Sequence, residues 1–473
     1  MVVQPASQQL FFARDPLGRR SLLIHKPTAQ QPYFLLASVS AGTHEGYDFT
    51  EVLTDHIYAL DLRTLSAAAD PTTQFESCIK AYPRIPSPAS SSELPFAEPS
   101  KVNPELPPMQ PEPPRLESLD HIPSHLESAV NDLIAHLNRC VMRHIQNIPS
   151  RNQATPPSAA QSTSPARLAV LFSGGIDSTM LAYLTDRHVP PNEPIDLLNV
   201  AFENPRKIQL KVDGNIGGLK KKQKKLKERN GVLGVLGSGG YNHDYLVPDR
   251  VTGLQELEEL RRLCPGRIWN FVEVDVPYLE CQAARPTVES AMWPSRTVMD
   301  LSLAMALFFA ARGKGQVRSN PDASPEPYTS PALVLLNGLG SDELLGGYGR
   351  HRTAYNTGGW QAIIDEFQLE IDRIPTRNLG RDDRVISSHG KETRHPFLDL
   401  NVVSFLARLP VHYKMDPRLE VGVGDKMLLR LAARKVGLVE ASARKKRAMQ
   451  FGSHSARMEA GIGDGGGQLM LAS

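Results

Sequence analysis

Two glycines and two serines surround a single carboxylate in the stretch 171–180, LFSGGIDSTM, which follows the apolar run 168–170. Gly174 and Gly175 let the main chain approach a ligand in conformations that a Cβ resists. Where a strand ends and a helix begins, successive N–H groups point at one spot, and that arrangement favours phosphate oxygens. Ser173 and Ser178 add hydroxyls. Asp177 repels a bare phosphate, so its presence makes sense with a cation in between; Mg2+ held by one or two carboxylates and phosphate oxygens is the usual arrangement. No GK[ST] follows, so this is not a Walker loop. An ordinary glycine-rich turn with Ser178 as helix cap fits the same ten residues.

A second turn changes that balance. Residues 333–348 read LVLLNGLGSDELLGGY, an apolar strand, a glycine turn and then Ser341-Asp342-Glu343 opening a helix. Acids in a first helical turn are often only cap and dipole devices. At the carboxyl edge of an open α/β sheet, however, they stand where such sheets bind ligands. Asp177 and Asp342 could then clamp one Mg2+ on a pyrophosphate.

These turns need a sheet to position them. From residue 166 onward, apolar runs alternate with helical patterns: ARLAVLF, a helix over 178–187, IDLLNVAF, a helix over 253–263, RIWNFVEVDV, a helix over 298–312 and PALVLLNG. Such alternation predicts a parallel sheet with helices on both faces. Beyond Asp342 the patterns are mainly helical. Ahead of the sheet, apolar residues at helical spacing predict a helix over 126–145. Short strand-like runs (LFFA, SLLIH, YFLLASV, HIYALDL) make residues 1–81 a small β-rich module, separated by a proline-rich linker over 82–120 from the region 121–460. Two polar stretches, 205–244 with its LKKKQKKLKER run and 317–331, read as insertions.

Composition narrows the function classes. Lys+Arg 53 against Asp+Glu 51 leaves a net charge of +2, which gives no global attraction to nucleic acid or membrane. No aromatic residues interleave with the lysine run, so stacking on single strands has no support, and a solvated loop is the simpler reading. The four cysteines form no CxxC pair, the start lacks a signal-peptide pattern, and the longest apolar run is too short to span a bilayer. A cytoplasmic protein with small-molecule substrates, no nucleic acid and no membrane partner is expected.

The ordered motifs SGGIDS, GLGSDELLGGY, KETRHPFLD, KMLLRLAARKVGL and ARKKRAMQFGS together resemble the synthetase half of the asparagine synthetase family. More narrowly, PDRVTG, RIWNFVEVDV, RNLGRDDRVI and KRAMQFG are similar to the asparagine synthetase domain-containing protein subfamily. The resemblance covers roughly 127–459 apart from the insertions. It implies an ATP-pyrophosphatase domain of the adenine nucleotide alpha hydrolase type, preceded by a truncated glutaminase-like (Ntn) module. It also implies ATP and Mg2+, with aspartate adenylated on its side-chain carboxylate, pyrophosphate leaving and ammonia attacking the acyl adenylate.

Position by position, the resemblance makes Ser173, Gly174, Gly175, Asp177 and Ser178 the pyrophosphate loop, with Asp177 and Asp342 as Mg2+ ligands. Leu171, Phe172 and Val200 would line the adenine and ribose pocket, and Asn337 and Gly338 would touch nucleotide. Lys446 would neutralise the α-phosphate in the transition state; without the family, a solvated basic run over 444–447 is the better reading. Two departures matter. Leu339 stands where the family carries a glutamate, and position 2 is Val2 in place of the chain-terminal cysteine that a glutaminase needs. The expectation is an Mg·ATP-dependent, amide-forming ligase of asparagine biosynthesis, impaired at Leu339 and without glutaminase activity. The alternative is a nucleotide-binding scaffold without synthetase activity. A tRNA-adenylating enzyme shares the SGGxDS loop but does not account for the later motifs.

Overall fold

A computed structural model describes residues 1–40, 42, 46–67, 70–84, 101–108, 115–148, 165–205 and 241–458. The lysine run and most of the insertion over 205–244 lie outside the described residues, as does much of the proline-rich linker. The chain forms two compact units. The first gathers Met1–His144, Glu289–Arg296 and Gly338–Ala443; the second gathers Ile145–Val288, Thr297–Asn337 and Arg444–Ser473.

The second unit is α/β, as the alternation predicts. Strand Ile195–Phe202 runs parallel to Leu168–Leu171 on one side and to Trp269–Val276 on the other. Val334–Leu336 pairs parallel with Leu168–Leu171, with Leu336 opposite Val170. The strands Leu168–Leu171, Ile195–Phe202 and Val334–Leu336 are buried at every position. Continuous apolar runs are what a sheet covered on both faces requires. Helices Ile176–Asp186, Pro248–Leu263 and Val298–Arg312 alternate with these strands along the chain, close to the predicted positions.

The stretch 317–331 is not loop alone. Lys314–Val317 and Glu326–Thr329 form an antiparallel hairpin that extends the sheet beyond Trp269–Val276. Polar and proline-rich residues hide it from pattern reading because it is an edge, where a solvated strand is tolerated. Its ties are polar: Tyr328 donates to Asp196 at 3.0 Å, and Arg318 Nε to Glu273 at 2.9 Å.

In the first unit, the N-terminal segment is β-rich. Strands Val2–Gln4, Gln9–Phe12, His56–Asp61 and Ile79–Pro83 form one antiparallel sheet, and Leu35–Ala37, Leu23–His25 and Phe49–Glu51 another. Leu10, Phe12, Ile24, Val52, Leu60, Phe75 and Cys78 are its core. The rest of the unit is mainly helical. Helix Ser124–Ile145 buries Val130, Leu133, Leu137 and Val141 at i, i+3, i+7 and i+11. Each such side chain contributes about 1.5–3 kcal/mol of burial.

Candidate functional site

The loop after Leu171 is shaped by what lies against it within the second unit. Gly174 has φ +73°, and a Cβ there would lie 2.4 Å from the main-chain nitrogen of Gly253. Only glycine satisfies both demands. Thr252 Oγ1 donates to Ser173 O at 3.0 Å, and Asn199 Nδ2 donates to Phe172 O at 2.9 Å. The loop's main chain is therefore held from beneath by strand Ile195–Phe202 and helix Pro248–Leu263.

Its upper side is different. Gly175 is the N-cap of helix Ile176–Asp186 and makes no side-chain capping bond. A Cβ on Gly175 would meet only Ser173 Oγ, at 3.4 Å. The first-turn N–H groups thus lack the usual side-chain acceptor, and nothing in the fold demands a glycine there on steric grounds. Both observations fit an anion approaching that turn. Ser173 Oγ accepts from Gly175 N at 3.3 Å, whereas Ser178 Oγ donates to Gly175 O at 3.1 Å. Ser178 is therefore neither the cap nor a hydroxyl with an uncommitted proton. Asp177 sits half-buried in the first helical turn, and Leu171, Phe172 and Val200 are buried. Asn337, which ends the second unit, is buried just beyond Leu336.

Behind the loop lies a buried ionic network. Arg250 donates to Asn199 Oδ1 at 2.7 Å, to Glu273 at 3.0 Å and to Asp275 at 2.8 Å. Asn199 also accepts, through its main-chain oxygen, from Arg250 at 3.3 Å. PDRVTG and the acids of RIWNFVEVDV are thus partners. Neither Arg250 nor Asn199 stood out in the sequence, because each looks like an ordinary residue of its element until the strand register brings them together.

Lys446 lies in the second unit, in a run that is not merely solvated. Arg444 Nε pairs with Glu256 at 2.6 Å, and Arg447 with Asp249 at 3.7 Å. Both acids are buried on helix Pro248–Leu263. Burial pushes the Asp249 carboxyl up to about 7, against the pull of Arg447. Burial, then a hydrogen bond with Glu259, pushes Glu256 up to about 8.

Gly338, Leu339 and Asp342 belong to the first unit. There Asp342 opens helix Ser341–Leu345 and pairs with the buried Lys426, whose Nζ lies 2.8 Å from Oδ1 and also donates to Ser341 Oγ at 3.0 Å. Lys426 has a left-handed backbone, φ +53°. A non-glycine residue held there at the cost of strain marks a position fixed by its surroundings. Glu343 accepts from Tyr348 OH at 2.6 Å, and burial, reinforced by Asp342, holds its carboxyl above the usual range. Arg377 joins Glu343 at 3.6 Å to Glu370 at 2.9 Å.

Among the described residues, Cys140, His144 and Asp399 form one group with metal-ligating side chains. Asp399 is already committed, accepting from Arg143 at 3.1 Å and capping helix Leu400–Arg408. Burial drives the Cys140 thiol well above its usual range. None of the four cysteines is in a disulfide, and no helix among the described residues is long and apolar enough to cross a membrane.

Comparison with known proteins agrees with these motifs. The Asparagine synthase family pattern matches residues 355–464. Asparagine synthetase domain-containing protein 1 of Gallus gallus is 37% identical over 96% of this chain and 78% of its own length. Its Homo sapiens counterpart is 36% identical over 96% of this chain and 76% of its own. An asparagine synthetase domain-containing protein of Saccharomyces cerevisiae is 31% identical, over 96% and 69% respectively.

Proposed function

The chain belongs to the asparagine synthetase domain-containing protein family, and from that premise we propose that it binds Mg·ATP and forms an amide by way of an acyl adenylate. The observation that carries this reading is the loop at Leu171: a glycine turn clamped from below, with an uncapped helix N-terminus above it and a carboxylate in the first turn. Such a turn supplies N–H donors and a positive dipole end to phosphate oxygens. Mg2+ lets Asp177 coexist with that phosphate; Asp342 is the second proposed ligand, taken from the family resemblance. Lys426 pairs with Asp342 and fixes that carboxylate within its own unit.

In this reading the aspartate side-chain carboxylate attacks the α-phosphorus of ATP, the bond to the β-phosphate oxygen breaks, and pyrophosphate departs. Lys446 offsets charge on the α-phosphate. Free ammonia then attacks the acyl carbon and AMP leaves. Ammonia is the donor we propose, with the N-terminal β-rich segment as a glutaminase-like module and the protein acting in the cytoplasm on small molecules. A nucleotide-binding scaffold is the second reading, and Leu339 in place of an acid favours it.

The test combines binding with turnover. Asp177→Asn and Asp342→Asn should each weaken Mg·ATP binding by about tenfold or more in calorimetric titration of folded protein, the scale of losing a charged partner. Pyrophosphate release with aspartate and ammonium reports the chemistry separately. Affinity equal to the parent's in both variants removes the metal assignment; ATP binding without release under any amino acid supports the scaffold.

A further inference from the structure

Helix Pro248–Leu263 touches two things that the proposed chemistry needs in one place. Its first turns hold the phosphate loop: Gly253 fills the space against Gly174, and Thr252 Oγ1 donates to Ser173 O. Its buried face holds the basic segment 444–447, with Glu256 on Arg444 and Asp249 on Arg447. We propose that Glu256 and Asp249 are positioning residues for Lys446, clipping the segment on both sides of the lysine so that one helix sets lysine and phosphate loop in a common register.

The packing makes these clips specific. Arg444 and Lys446 are half-buried while Lys445 and Arg447 are exposed, so Lys446 shares the inward face with Arg444, whose 2.6 Å pair with Glu256 is the closer clip, and Arg447 reaches Asp249 from the outer side at 3.7 Å. Glu256 is fully buried and accepts from Arg444 Nε at 2.6 Å, so lifting the segment away leaves a buried polar side chain without that donor, which is costly. Asp249 is seated against Gly452, where a Cβ would lie 1.9 Å from its Oδ1. The chain beyond the clips is anchored too, since Phe202 N donates to Ser453 O at 3.0 Å. Asp249 ties the two halves directly: its side chain meets Arg447, and its main-chain oxygen accepts from Asn199, which also holds Phe172 O.

The positioning role rests on Lys446 contacting phosphate, and the experiment separates the two ideas. Glu256→Gln keeps the shape of the buried side chain, and Arg444→Ala removes the clip from its more exposed partner. Trypsin cleavage within 444–447 under native conditions reads the clip; Mg·ATP titration, in the parent and in a Lys446→Ala background, reads its consequence. Both variants should be cut several-fold faster, and both should lose about tenfold in ATP affinity, the scale of a charge-assisted bond. In the Lys446→Ala background neither should lose more. An equal loss in both backgrounds would mean a merely structural role and would overturn the proposal. Unchanged cleavage in both variants would overturn the clip. Unchanged affinity in Lys446→Ala alone would remove the phosphate contact, whatever the cleavage shows.

Discussion

At the scale of single residues, the site is legible where its chemistry is contiguous and hidden where it depends on a distant partner. Ser173, Gly174, Gly175 and Asp177 stand together in ten residues, and a strand-to-helix turn follows from their types. Lys426 does not announce itself. Its partners Asp342 and Ser341 lie 85 residues or so away in sequence, and its left-handed backbone is visible only in the fold. Ser178 shows the opposite error, since a serine at a helix start suggests a cap, yet it donates to Gly175 O in the turn behind. Leu339 is the residue on which the proposed activity turns. It is half-buried in the glycine turn ahead of helix Ser341–Leu345 and can neither accept nor donate a proton. Leu339→Glu should raise aspartate-dependent pyrophosphate release by about 10²–10⁴-fold, the typical contribution of one positioned acid or base. A coupled pyrophosphate assay measures it, and no gain would favour the scaffold.

At the scale of elements, the motifs that mark the subfamily turn out to be packing partners. PDRVTG opens helix Pro248–Leu263, whose arginine reaches Glu273 and Asp275 on strand Trp269–Val276. The strand and helix patterns predicted the two elements, because apolar period and length are properties of each segment alone. They could not predict the network, which depends on parallel register between Asn199 and Glu273. They also missed the hairpin of Lys314–Val317 and Glu326–Thr329, whose polar residues carry no alternation. The network leads to a firm expectation. Arg250→Ala leaves Asp275 without its arginine and Glu273 with Arg318 alone, and breaking a buried pair from one side costs about 3–5 kcal/mol. Urea denaturation should show a loss of that size. Arg250→Lys should recover only part of it, since one ammonium cannot fork between both acids and Asn199. A loss below about 1 kcal/mol would mean that water already solvates those acids.

At the scale of the whole molecule, sequence separation is a poor guide to what folds together. The proline-rich stretch after residue 81 sets the N-terminal strands apart by composition. Contacts nonetheless place Met1–His144 in one compact unit with Gly338–Ala443. The motif RNLGRDDRVI explains the attachment. Asp383 accepts from Ser21 N and from Arg20, each at 2.9 Å. The fully buried Arg384 pairs with Glu51 and donates to Ser21 Oγ at 2.9 Å. Arg19 donates to Leu398 O at 3.1 Å. No periodicity reports such bonds, which span more than 330 residues of chain. Helix Leu379–Ser387 is therefore charged along a buried face, with Asp383 and Arg384 matched by the N-terminal segment and Arg381 by its neighbour Asp382. Removing residues 1–81 should consequently destabilise the helical part of this unit, because Asp383 and Arg384 would lose their partners Arg20, Ser21 and Glu51 and the surface packed against them. Glu51→Ala is the milder form of the same change and should cost about 3 kcal/mol, the lower end for a one-sided break of a buried pair. Differential scanning calorimetry of the chain 82–473 against the full chain decides the matter. The shortened chain should aggregate or melt well below its parent; a single transition at an unchanged temperature would mean that the N-terminal strands are an appendage, and that Arg384 finds enough support in the carbonyl oxygens of Ala291 and Met292 alone.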